Sequence, residues 1–180
     1  NHHHVDWLVL NDEIRESLKM RSRNPKYLPW CYIDQEFMTP SNDINAVVRD
    51  ADIVILAMPS AFMKKFLEPL TESLHDKIVV SAVKGIIPGD YLTIVEHMNR
   101  YYDIPMENLA VVTGPSHAEE VGQCQLSYLT VASESKETAE RVRDVLANDF
   151  FRCSISNDVL GVEAAAIMKN IYALAVGMAV

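Results

Sequence analysis

Short apolar runs alternate with amphipathic stretches along the whole chain. Val5–Leu10, Ile53–Ala57, Ile78–Val83 and Leu109–Thr113 are nearly unbroken runs, and Ser127–Ala132 and Phe151–Ile155 complete the set. Runs that are apolar throughout predict strands buried on both faces of a sheet. Asn11 and Asp12 offer N-caps for a helix to about Met20, and Ser41-Asn42-Asp43 can cap a short helix to Arg49. Between them the prolines of Asn24-Pro25-Lys26-Tyr27-Leu28-Pro29 force an irregular loop. Further helices are predicted over Phe62–Leu74, Tyr91–Tyr102 and Lys136–Ala147, with a short one after Gly114-Pro115-Ser116 and a last one from Asp158. Strand followed by helix, repeated, predicts an α/β fold: a doubly wound, largely parallel sheet covered on both sides.

Composition narrows the function more than the fold. Of the 180 residues, 49% are hydrophobic and 23% charged, a globular mix with no apolar run long enough to predict a membrane span. The net charge of −9 leaves no basic stripe to displace counterions, so nucleic acid is not an expected partner. Cys31, Cys124 and Cys153 are odd in number and far apart, which predicts neither a disulfide framework nor a zinc site and fits a reducing cytoplasm. His2, His3 and His4 adjoin in an extended segment and cannot all face one ion, so no metal site is expected there. The chain opens almost directly on a strand and Val180 falls inside a helical pattern, which leads us to expect a portion of a longer protein.

Ligands of such sheets bind beyond the carboxyl ends of the strands. Three successive strand ends carry unusual residues: Met58-Pro59-Ser60-Ala61-Phe62, Lys84-Gly85 and Thr113-Gly114-Pro115-Ser116. Together they would line one crevice with an aromatic ring, a cation, a flexible glycine and a hydroxyl. Each also has a plainer role open to it. Phe62 can be a core residue of its helix, Lys84 can end a strand in solvent, and Ser116 with Glu119 fits a capping box. In the last helix, Leu160, Ala164, Ile167, Ile171, Leu174 and Met178 form a stripe expected to face the core. Lys169 lies almost opposite it among Val162, Ala165, Ala166, Ala173 and Val176, and the only other charge between Val159 and Val180 is Glu163. A helix apolar all round is expected to be buried, and a buried lysine without an acid partner loses proton affinity, which suits it to proton transfer. The alternative is a lysine whose stem packs while its head reaches water. Asn170 beside it adds an amide able to hold a substrate hydroxyl.

Five motifs, in order, resemble bacterial NAD(P)-dependent glycerol-3-phosphate dehydrogenases. They are Asn24-Pro25-Lys26-Tyr27-Leu28, Ala57-Met58-Pro59-Ser60, Val83-Lys84-Gly85-Ile86, Thr113-Gly114-Pro115-Ser116-His117-Ala118-Glu119-Glu120-Val121, and Gly161-Val162-Glu163 with Met168-Lys169-Asn170. The resemblance implies a Rossmann-like nucleotide-binding domain over residues 1–157 and the first helix of an all-α substrate domain over 158–180. It implies interconversion of dihydroxyacetone phosphate and sn-glycerol 3-phosphate with NADH or NADPH, feeding phospholipid synthesis, and a possible homodimer. By resemblance Lys169 is the proton-transfer residue. Lys84 contacts both substrate and cofactor, Gly114, Ser116 and Asn170 contact substrate, and Ala118 and Phe62 contact the nicotinamide side of the cofactor. Two departures bear on this. The family's glycine-rich pyrophosphate turn is not in the chain, and Leu10 runs straight into Asn11-Asp12 where a basic residue often stands, leaving NAD and NADP both open. Two other readings are a β-hydroxyacid or 6-phosphogluconate type dehydrogenase, which pairs its lysine with an Asn four residues later where this chain has Ala173, and a non-catalytic nucleotide-binding module.

Overall fold

The computed structural model describes residues 3–179; Asn1, His2 and Val180, and the side chain of Asn170, lie outside the described residues. In chain order the elements are β1 (Val5–Leu8), α1 (Asp12–Arg21), β2 (Met38–Ser41), α2 (Ile44–Arg49), β3 (Ile53–Leu56), α3 (Met63–Leu67), β4 (Ile78–Ser81), α4 (Ile94–Tyr102), β5 (Leu109–Thr113), α5 (Ala118–Gly122), β6 (Ser127–Ala132), α6 (Lys136–Leu146), β7 (Phe151–Ser156) and α7 (Val159–Met178). Asn11, Asp43, Ser135 and Asp158 cap α1, α2, α6 and α7 with side-chain oxygens that accept from first-turn N–H groups. The helix expected over Phe62–Leu74 is much shorter, because Pro69 has no N–H to continue the ladder. β2 escapes the hydrophobic pattern altogether. It is four residues long and contains Pro40, which a strand accepts when it pairs on one side only, as β2 does with β1.

The remaining strands form one sheet in the order β3-β4-β5-β6-β7. Side chains alternate across it. Val79, Leu109 and Val111 join Met63, Ile94 and Met98 in the larger core, while Ile78, Val80 and Ala110 face Ala139 and Val142 of α6. Burial on both faces accounts for the continuous apolar runs, each fully buried valine or leucine contributing roughly 1.5–3 kcal/mol.

All pairings in this sheet are parallel except one: β6 runs against β5. Its consequence is positional. With β6 reversed and β7 parallel to β6, the chain leaves β7 at the edge where β5 begins. Ser133 marks that level, its hydroxyl donating to the Leu109 carbonyl at 2.7 Å and its N–H to the Ser156 carbonyl at 3.2 Å. From there α7 packs along β5. Ten residues of helix rise ~15 Å and five of strand ~17 Å, so Lys169 is carried to the opposite, carboxyl edge of the sheet.

The stripe expected to bury α7 is corrected by the structure. Leu160, Ile171, Leu174 and Met178 are exposed and Ala164 and Ile167 half-buried, whereas Val159, Glu163 and Ala166 are the buried positions, with Val162 half-buried between them. Two hydrogen bonds from another helix to Glu163, described below, select that face over the greasier one. No single helix among the described residues is long and apolar enough to cross a membrane, although the two parts of α7 pass together as a bent pair by length and composition.

Candidate active site at the carboxyl edge of the sheet

Lys84 follows β4 by three residues, and Lys169 arrives beside it from α7. The two side chains come close enough to interact, Lys169 being one cause of the lowered proton affinity of Lys84. Lys84 is exposed overall, yet its proton affinity is held below the ordinary lysine value, first by local desolvation and then by Lys169. Bringing two like charges together disfavours the charged form, and here the effect falls on Lys84. Lys169 itself is exposed, as are the described residues from Met168 to Ala179. The expected burial of Lys169 is therefore not what sets it apart. It stands three residues beyond Ala166, on the continuation of the docked face, and that line points it at Lys84. Asn170, expected alongside, lies outside the residues whose side chains are described.

The neighbouring strand ends assemble around this pair. Gly85 has φ +136°, and a β-carbon there would lie 2.5 Å from the Ser60 hydroxyl, so glycine is what lets the Lys84 turn close on the segment after β3. Phe62, two residues further on, is 54% exposed; it is no core residue, and its ring is available to a ligand. Gly114 and Ser116 follow β5, both half-buried. A side chain on Gly114 would strike the Tyr128 carbonyl oxygen of β6. Ser116 does not cap α5 as its spacing with Glu119 suggests. His117 takes the N-cap position, without a side-chain bond, and the Ser116 hydroxyl is left to other partners.

Ala118 opens α5 and borders an apolar cavity of about 490 Å³ lined by Leu28, Trp30, Tyr32, Val121 and Gly122. The Asn24–Pro29 loop thus folds toward the site: the Asn24 amide oxygen accepts from the N–H groups of Lys26 and Tyr27 at 3.0 Å each, and Trp30 lies over Gly122. Its two prolines announced only a loop, since nothing local says which element it will cover. A second group missed by sequence reading sits behind the Lys84 turn. Lys64 meets Asp90 at 2.8 Å, and buried His97 approaches the same carboxylate at 3.4 Å. Their wide spacing in sequence hides them. Among the described residues no cluster of three or more His, Cys, Asp or Glu is placed to hold a metal ion.

A family described as the NAD-dependent glycerol-3-phosphate dehydrogenase N-terminus matches residues 1–139. The chain belongs to that family. Among curated glycerol-3-phosphate dehydrogenases of the NAD(P)+ type, the one from Agathobacter rectalis is 35% identical over 99% of this chain, and the one from Halalkalibacterium halodurans is 32% identical, also over 99%. This chain spans 53% and 52% of those two proteins, about half the length of each. In structure it is similar to the glycerol-3-phosphate dehydrogenase of Coxiella burnetii, with a TM-score of 0.84 and 22% identity over 97% of this chain and 53% of that one. That likeness establishes the Rossmann-type α/β fold for this member of the glycerol-3-phosphate dehydrogenase family, the fold class its apolar runs predict.

Proposed function

We propose that the protein to which these residues belong interconverts dihydroxyacetone phosphate and sn-glycerol 3-phosphate with NADH or NADPH. The convergence of Lys84 and Lys169 at the carboxyl edge, in a chain of this family, is the observation that supports it most. The exposed Phe62 ring and Ala118, which stands clear of the core, fit one side of a flat nicotinamide. The cofactor, when bound, supplies the hydride. The chain's own residues do the rest. In ketone reduction charge accumulates on the carbonyl oxygen, and the positive charge of the lysine pair, aimed there, lowers the barrier. Lys169 gives its proton to that oxygen, and in the reverse direction takes the proton of the alcohol. Lys84, flanking both ligands, holds the substrate oxygen and keeps proton transfer within the pair. Ser116 and the backbone at Gly114 hold the substrate from the β5 side. A small, doubly charged substrate and a soluble hydride carrier fit a cytoplasmic enzyme that feeds phospholipid synthesis.

The experiment is Lys169→Ala in the full-length protein, assayed by NADH oxidation with dihydroxyacetone phosphate. Turnover should fall about a hundredfold or more, the usual scale for losing a general acid, with NADH binding almost unchanged. Turnover within a few-fold of the unaltered enzyme would refute the assignment.

A further inference from the structure

α7 carries two charged side chains between Val159 and Val180, and the second of them, Lys169, is accounted for. The first, Glu163, is 1% exposed, although a carboxylate in a packed interface costs more than an alkyl chain of the same size unless it is well bonded. Its bonds all go to one place. Oε1 accepts from the N–H groups of Ile94 at 2.9 Å and Val95 at 3.4 Å, the first turn of α4. α4 already has a capping box: the Thr93 hydroxyl accepts from Glu96 N–H, and the Glu96 carboxylate accepts from Thr93 N–H. That box leaves the N–H groups of Ile94 and Val95 unmet, and these are the two Glu163 takes.

We infer that Glu163 is a positioning residue for the lysine pair: by bonding the N-terminus of α4 it sets the rotation and height of α7, and so where Lys169 stands over Lys84. This rests on the reading of Lys169 as the proton-transfer residue. Valine and alanine contacts alone, such as Val159 and Ala166, allow a helix to slide or turn in its groove, whereas a carboxylate held by two directional N–H donors does not. One residue of rotation, ~100°, would take Lys169 off the docked line altogether. The anchor is also well placed along the chain. α4 begins ten residues after Lys84, and Glu163 precedes Lys169 by six, so one bond cluster ties together the two segments that bear the pair.

The test is a double-mutant cycle in the full-length enzyme. Glu163→Gln, whose amide oxygen can still accept from both N–H groups, should keep most of kcat, whereas Glu163→Met keeps the length and removes the acceptor; its kcat should fall on the order of tenfold to a hundredfold, the cost of misplacing a reacting group, with KM for NADH within about twofold. In a Lys169→Ala background the same change should cost almost nothing further, because a group that acts through Lys169 has nothing left to place. Should the Met variant fail to fold, Glu163→Asp, which keeps the charge and shortens the reach, takes its place and should lose kcat in the same direction. An equal fold-loss in both backgrounds, an unchanged kcat for the Met variant, or a loss that merely tracks the fraction of protein able to bind NADH overturns the inference while leaving Lys169 in its role. An active Lys169→Ala enzyme overturns both.

Discussion

The interaction between Lys84 and Lys169 makes a residue-scale prediction that does not depend on turnover. Lys84 is held below the ordinary lysine value by desolvation first and by Lys169 second. Lowered proton affinity means a larger neutral, nucleophilic fraction at any pH below the ordinary value, so Lys84 should acylate faster than a free surface lysine. Lys169→Ala removes the second cause and keeps the first. The pH at which Lys84 becomes reactive should therefore move up, though not fully to that of a free lysine, when labelling with an acylating reagent is followed by peptide mass spectrometry across a pH series. A reactivity curve that does not move on removing Lys169 would mean the two side chains do not interact in solution. The same pair shows how far a single residue can be read without a structure. That Lys169 is unusual is visible in its apolar surroundings. That Glu163 is its counterpart is not, because the two hydrogen bonds that explain a buried carboxylate come from Ile94 and Val95, some seventy positions away.

At the scale of elements, the carboxyl edge depends on how closely the turn after β5 lies against β6. A methyl group at Gly114 would collide with the Tyr128 carbonyl oxygen, a backbone atom locked in the β6 ladder, so neither side can yield by a simple rotamer change. Gly114→Ala should destabilise the full-length protein by about 1–3 kcal/mol, the range for forced overpacking, read as a lower urea midpoint with an unchanged slope. It should also weaken the apparent affinity for dihydroxyacetone phosphate, because the Ser116 hydroxyl moves with the turn. A midpoint equal to that of the unaltered protein would show that the turn can lift off β6 at no cost. Strong local signals placed most elements correctly. β5 and β6 fall on their predicted bounds, and Asn11, Asp43 and Asp158 cap the helices expected of them. Weak ones failed where a partner decides: β2 needed β1 to become a strand, and Ser116 lost its expected capping role to His117.

For the whole molecule, the outer length of α7 is the feature that stands out. Leu160, Ile171, Tyr172, Leu174, Val176 and Met178 are each more than half exposed along one helix, a continuous apolar surface of the kind that self-associates. Residues 1–180 produced alone should therefore scatter light as oligomers at concentrations where the full-length protein is monodisperse, and should fail to oxidise NADH with dihydroxyacetone phosphate. A well-dispersed, active 180-residue protein would mean that the site needs nothing beyond what is described above. What the sequence determined by itself is the α/β class, the strands that are apolar on both faces, and the residue types gathered at their carboxyl ends, since each follows from local periodicity and from the rule that such ends face the ligand. It could not determine the direction of β6. Parallel and antiparallel neighbours bury the same side chains, and only the packed sheet chooses between them. That choice sets where Lys169 lands: had β6 run parallel to β5, α7 would have begun at the carboxyl edge and led Lys169 away from Lys84. The buried face of α7 was likewise a tertiary decision, because its greasiest stripe lost to the face bearing Glu163, whose carboxylate had two unmet N–H groups to satisfy.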